Sequence, residues 1–133
     1  MKRLDHIAIA VSDLDAAEKT YRDVLRLEWE GREDVVGQKV TTSVFRVGES
    51  RVELICPTAG DSPIAAFLAK RGDGLHHICF EVDNIVSEMQ RLKSRGVRLL
   101  SERPTVGVGG SKVVFLHPKD AGGVLVELVE KAR

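Results

Sequence analysis

The chain has 133 residues, 43% of them hydrophobic, and its 20 Lys and Arg balance 20 Asp and Glu. That is enough apolar material for one compact domain or two small, intimately packed halves. A formal net charge of zero with no basic cluster leaves no electrostatic footprint for nucleic acid. No apolar run approaches the roughly eighteen residues of a membrane helix. The segment Met1-Lys2-Arg3-Leu4-Asp5 has no signal-peptide core, so a cytoplasmic protein is expected.

Residues 4–11 alternate, with His6, Ala8 and Ala10 on one face and Ile7, Ile9 and Val11 on the other; both faces are apolar enough to be covered. Ser12 or Asp13 can cap a following helix whose apolar stripe is Leu14, Ala17, Tyr21, Val24 and Leu25. The charged stretch 28–36 reads as a strand edge or loop. Lys39–Val47 and Arg51–Cys56 read as strands joined by a turn at Gly48-Glu49-Ser50, and Pro57 ends the second. Between the halves, Ser62-Pro63 starts a short helix with Ile64, Phe67 and Leu68 on one side, and Gly72 and Gly74 stop it.

The order then repeats. Leu75–Val82 is a strand; Asp83 or Asn84 caps a helix that buries Ile85, Val86, Met89 and Leu92; Gly96 ends it. Val97–Leu100 is strand-like, Thr105–Gly110 is a glycine-containing loop, and Lys112–His117 and Gly123–Val129 are the last strands. Each half is β-α-β-β-β. The expectation is a single α+β domain over residues 1–133, with repeat 1 at about 4–57 and repeat 2 at about 75–130, together forming a curved, cleft-enclosing mixed sheet. Cys56 and Cys79 lie inside apolar runs and read as buried, reduced thiols.

The repeats also share a phrase. Leu4-Asp5-His6-Ile7 is followed about fifty residues later by Val52-Glu53-Leu54; Leu75-His76-His77-Ile78 is followed at a similar distance by Val126-Glu127-Leu128. Register with His6 selects His77 over His76. Taken singly, a Glu between two apolar strand residues faces solvent, and a lone strand His is a satisfied core or edge residue. Two such pairs at matching places favour a site. Burying an unpaired carboxylate costs several kcal/mol, which a divalent cation offsets. Two imidazoles and two carboxylates, His6, His77, Glu53 and Glu127, suit Co, Mn, Ni, Fe or Zn better than Ca or Mg. The loop His117-Pro118-Lys119-Asp120-Ala121-Gly122-Gly123 is either a plain hairpin or, through Lys119 and its amides, a phosphate contact.

These residues resemble the vicinal oxygen chelate superfamily, the glyoxalase fold. The segments Asp5–Val11, Val52–Pro57, Asp61–Ala65, Gly74–Asp83 and Phe115–Leu128 are most similar to its methylmalonyl-CoA epimerase family. The resemblance implies metal ligands at His6, His77 and Glu127, a fourth at Glu53, an acyl-CoA substrate with Lys119 near its phosphates, and a homodimer. It also implies an isomerase that interconverts (2R)- and (2S)-methylmalonyl-CoA by moving the C2 proton. Some members are thought to use a glutamate base on the strand after the charged loop; here Gln38–Ser43 contains no acid, which makes Glu53 and Glu127 the expected pair of proton carriers. The alternatives are another metal enzyme of the fold, such as glyoxalase I, and a metal-free binding protein.

Overall fold

The computed structural model describes residues 1–133 and divides into two compact units. One is His6–His76; the other joins Met1–Asp5 to His77–Arg133. In the first, β1 (Arg3–Ala10) leads to α1 (Leu14–Lys19), a wider π-helical turn at Thr20–Val24, β2 (Glu28–Val35), β3 (Val40–Val47), β4 (Ser50–Pro57) and α2 (Pro63–Arg71). The hydrogen-bonded order is β2-β3-β4-β1, antiparallel except for the parallel β1–β4 pair. In the second, β5 (Gly74–Glu81), α3 (Ile85–Ser94), β6 (Thr105–Val106), β7 (Lys112–Leu116) and β8 (Val126–Glu130) give the order β5-β8-β7-β6, again with one parallel pair, β5–β8. The repeat read from the sequence is thus a repeat of topology.

The same devices start the helices of both units. Asp13 accepts a hydrogen bond from the Ala16 amide, and Asn84 accepts one from the Ser87 amide, each satisfying a donor that a helix start leaves open. The helices then bury one stripe on one face of their own strands. In the first unit Val11, Leu14, Phe45 and Leu54 form a core flanked by Ile9, Ala17, Tyr21 and Val52. In the second, Ile85, Met89 and Leu92 of α3 pack with Val82, Val114, Leu116 and Leu128. With one sheet face filled by helix, His6, Ala8, Ala10, Glu53 and Ile55 line the other face, as the pleat requires.

Several local expectations change. Val24 and Leu25 do not continue the buried stripe; they are 74% and 54% exposed, because the π turn at Thr20–Val24 rotates them off the helix face. Val86 is also exposed rather than buried. Val97–Leu100 makes only one bridge, Leu99 to Leu116; the Arg98 amide goes instead to the Asp120 carboxylate at 2.9 Å, so the ladder is not continued. The last strand starts at Val126, not Gly123, since Gly122 and Gly123 take positive φ (68° and 85°) and prolong the turn. The charged stretch 28–36 is a full strand along Glu28–Val35, with a bulge between Trp29 and Gly31.

That charged strand is tied down through Glu18, a buried carboxylate of α1. Arg32 donates to both its oxygens at 2.7 Å, Ser43 Oγ donates at 2.6 Å, and Trp29 Nε1 donates to Ser43 Oγ at 3.0 Å. The Arg32 hydrogen bond, helped by Ser43 and opposed by burial, holds the Glu18 carboxyl below its usual range. A depressed folded-state pKa stabilises above the unfolded value and is lost as pH falls through the folded one. Because Arg32 is 40% exposed, solvent screening trims the effect. Glu18→Gln is expected to cost about 1–2 kcal/mol near neutral pH. Urea unfolding should show that difference shrinking from about pH 5 downward, and a difference independent of pH would show that the charge is not its source.

Candidate active site

Parallel pairing builds the same local geometry twice. In the first unit Ala8 is the register partner of Glu53, so His6, two residues back on the same face, stands diagonally beside it; His6 Nδ1 lies 3.4 Å from Glu53 Oε2. In the second unit Cys79 partners Glu127, His77 stands two residues back, and His77 Nε2 lies 3.2 Å from Glu127 Oε1. All four side chains are buried, between 4% and 7% exposed. The structure brings His6 together with Glu53 and His77 together with Glu127. It places His76 on the opposite face, its ring edge-on to Phe67 at 4.9 Å.

The two pairs differ in their surroundings. Around Glu53 the register partners are Ala8 on β1 and Val44 on β3, and Gly31 on β2 has open space where a Cβ would stand. Around Glu127 they are Cys79 and Phe115, and the Phe115 ring lies edge-on to His77 at 5.3 Å. The Phe115 contact fixes an imidazole face, a role the sequence did not indicate because Phe115 reads simply as a strand residue. Cys79, buried with Val113 and Val129, is a packing residue as its apolar run suggested. Lys119 sits on an exposed single-turn helix at Pro118–Asp120 (its amide donates to His117 Nδ1 at 3.1 Å), and the Arg98–Asp120 ion pair pins that turn.

A buried carboxylate in contact with an imidazole nitrogen is a nitrogen and oxygen donor pair with little competing water. Such a pair fits a borderline divalent cation: the oxygen supplies charge, and the neutral imidazole supplies a lone pair. Each unit therefore offers a donor set of the right chemistry.

A family model of the glyoxalase/bleomycin resistance protein/dioxygenase superfamily matches residues 5–115. Human mitochondrial methylmalonyl-CoA epimerase is 45% identical over 127 residues, covering 95% of this chain and 72% of that protein. Ethylmalonyl-CoA/methylmalonyl-CoA epimerase of Cereibacter sphaeroides is likewise 45% identical, covering 95% of this chain and 96% of its own length. The chain belongs to the methylmalonyl-CoA epimerase family. Its fold class, α+β with the mixed sheet of the glyoxalase fold, is the family's own. A solved Streptomyces coelicolor member of the epimerase family, in complex with 2-nitronate-propionyl-CoA, superposes with a TM-score of 0.96 at 38% identity, over 100% of this chain and 99% of that one. No helix is long and apolar enough to cross a membrane.

Proposed function

We propose that this epimerase-family chain interconverts (2R)- and (2S)-methylmalonyl-CoA, using a divalent cation held by His6, Glu53, His77 and Glu127. One observation carries the reading: the two repeats set a histidine and a glutamate side by side through the same parallel register, His6 with Glu53 and His77 with Glu127. The relatives' named substrate supplies the chemistry to which that arrangement is matched. The ion would be Co, Mn, Ni, Fe or Zn, since mixed imidazole and carboxylate donors suit these.

The C2 hydrogen of the substrate lies between a thioester carbonyl and a carboxylate, so its removal leaves an enolate with charge on the thioester oxygen. When bound, the cation supplies the positive charge that this oxygen needs. The side chains do the rest. Inversion requires a base on one side of C2 and an acid on the other. We assign these two roles to Glu127 and Glu53, whose buried settings exclude water that would otherwise compete for the proton. Ala8, Val44 and Gly31 leave room beside Glu53 for a small acyl group. Lys119, on its exposed turn, is the proposed contact for CoA phosphates, and a homodimer is the proposed assembly.

The test is incubation of one pure epimer with the protein in deuterated water. Both epimers should form, with deuterium at C2 observed by mass spectrometry, whereas a methylglyoxal–glutathione adduct should be left unchanged. An epimer that stays undeuterated and unconverted sinks the assignment, and turnover of the adduct transfers it to a glyoxalase.

A further inference from the structure

Inversion asks for two proton carriers, and the first unit has been given only Glu53, which also serves as a ligand. The sheet face that carries Glu53 can be followed outward row by row. Glu53 pairs with Val44 of β3, and Val44 pairs with Gly31 of β2. One row along, Ile55 pairs with Thr42, and Thr42 pairs with Glu33. Register partners share a face and so do residues two apart, so Glu33 lies on the face of His6 and Glu53. The bulge between Trp29 and Gly31 sets this parity, which is why simple alternation along the charged stretch does not show it.

By strand spacing, the Glu33 and Glu53 backbones are on the order of 12 Å apart, two strands across and one row along. Between them the same face carries Val44 and the buried Thr42, with the Cβ-free Gly31 beside Val44. Glu33 is half-buried, which gives its proton a route to solvent that the 5%-exposed Glu53 lacks. The neighbouring acid Glu30 accepts from Arg51 Nε and Arg46 Nε at 2.9 and 3.1 Å, which hold its carboxyl below the usual range. A carboxyl so stabilised as the anion is a weak base.

We infer that Glu33 is a catalytic residue: its carboxylate accepts and returns the C2 proton on the side assigned above to Glu53, which is left to hold the ion. This rests on the epimerase reading. In the forward step a Glu33 oxygen takes the C2 proton while the C–H electron pair moves into the thioester carbonyl. In reverse the neutral Glu33 carboxyl gives the proton back to the same face.

Glu33→Gln separates this role from a structural one. With one carrier lost, epimer interconversion should fall at least about 100-fold. The epimer served by Glu127 should still exchange its C2 proton for deuterium without inverting, while the other epimer does neither. Metal content and melting temperature should match the parent, and Glu33→Asp should restore part of the inversion. Interconversion within about threefold of the parent overturns the inference, as does equal loss of exchange from both epimers together with a lowered melting temperature. If the parent protein itself neither exchanges nor inverts, the epimerase reading has failed instead.

Discussion

Glu127→Gln is expected to lower kcat/KM for epimerisation by about 10³-fold or more while leaving the fold in place. A positioned general base contributes roughly 10²–10⁴ in rate. Glu127 also carries the oxygen that stands 3.2 Å from His77, so the substitution weakens a proposed ion ligand at the same stroke. Gln keeps the shape that fits between Cys79 and Phe115 and can still meet the imidazole as a neutral partner. It removes a buried charge rather than opening a cavity, so the melting transition of the metal-free protein should shift by no more than about 1 kcal/mol equivalent. Steady-state epimerisation and thermal melting of the same preparation check the two halves of the expectation. Activity within tenfold of the parent would mean that neither proton transfer nor ion binding depends on this carboxylate.

On the proposed metal site, removing the ion should have the second large effect, on stability as well as turnover. A ligand that binds only the folded state at about 1,000 times its Kd stabilises by about 4 kcal/mol, on the order of 10 °C or more in melting temperature for a chain of this size. Dialysis against a strong chelator should therefore lower the melting temperature and abolish deuterium incorporation at C2. Adding back Co, Mn, Ni, Fe or Zn one at a time should restore both, to different extents. His6→Ala and His77→Ala should each lose the metal-dependent part of the melting shift, because either change removes one of the four proposed donors. A melting temperature indifferent to chelator and to both substitutions would refute the four-ligand ion site.

Much of the fold is legible along the chain because its signals are local. Alternation at 4–11 and 75–82 marks β1 and β5, and the caps at Asp13, Ser62 and Asn84 are short-range hydrogen bonds between a side chain and an amide two or three residues on. The errors arise where a neighbouring segment decides the outcome. Leu25 fits a helical stripe by spacing, yet the π turn carries it out to 54% exposure. Val97–Leu100 has the composition of a strand, yet Asp120 takes the Arg98 amide. The charged stretch 28–36 reads as either a strand edge or a loop, and β3 decides for the edge strand Glu28–Val35, where Arg32 with Glu18, and Arg46 and Arg51 with Glu30, satisfy its charges.

The sequence by itself determined that there are two copies of one βαβββ unit, that each carries one histidine and one late glutamate on strands, and that the family is the methylmalonyl-CoA epimerases. The first two are properties of order and spacing; the family rests on the resemblance of whole segments such as Gly74–Asp83 and Phe115–Leu128. Only the tertiary structure decided that each glutamate is buried against its own histidine, that Phe115 lies edge-on to the His77 ring, and that Glu33 shares the face of Glu53. Strands about fifty residues apart must first lie in register, and a shift of one residue would turn every one of these side chains to the opposite face.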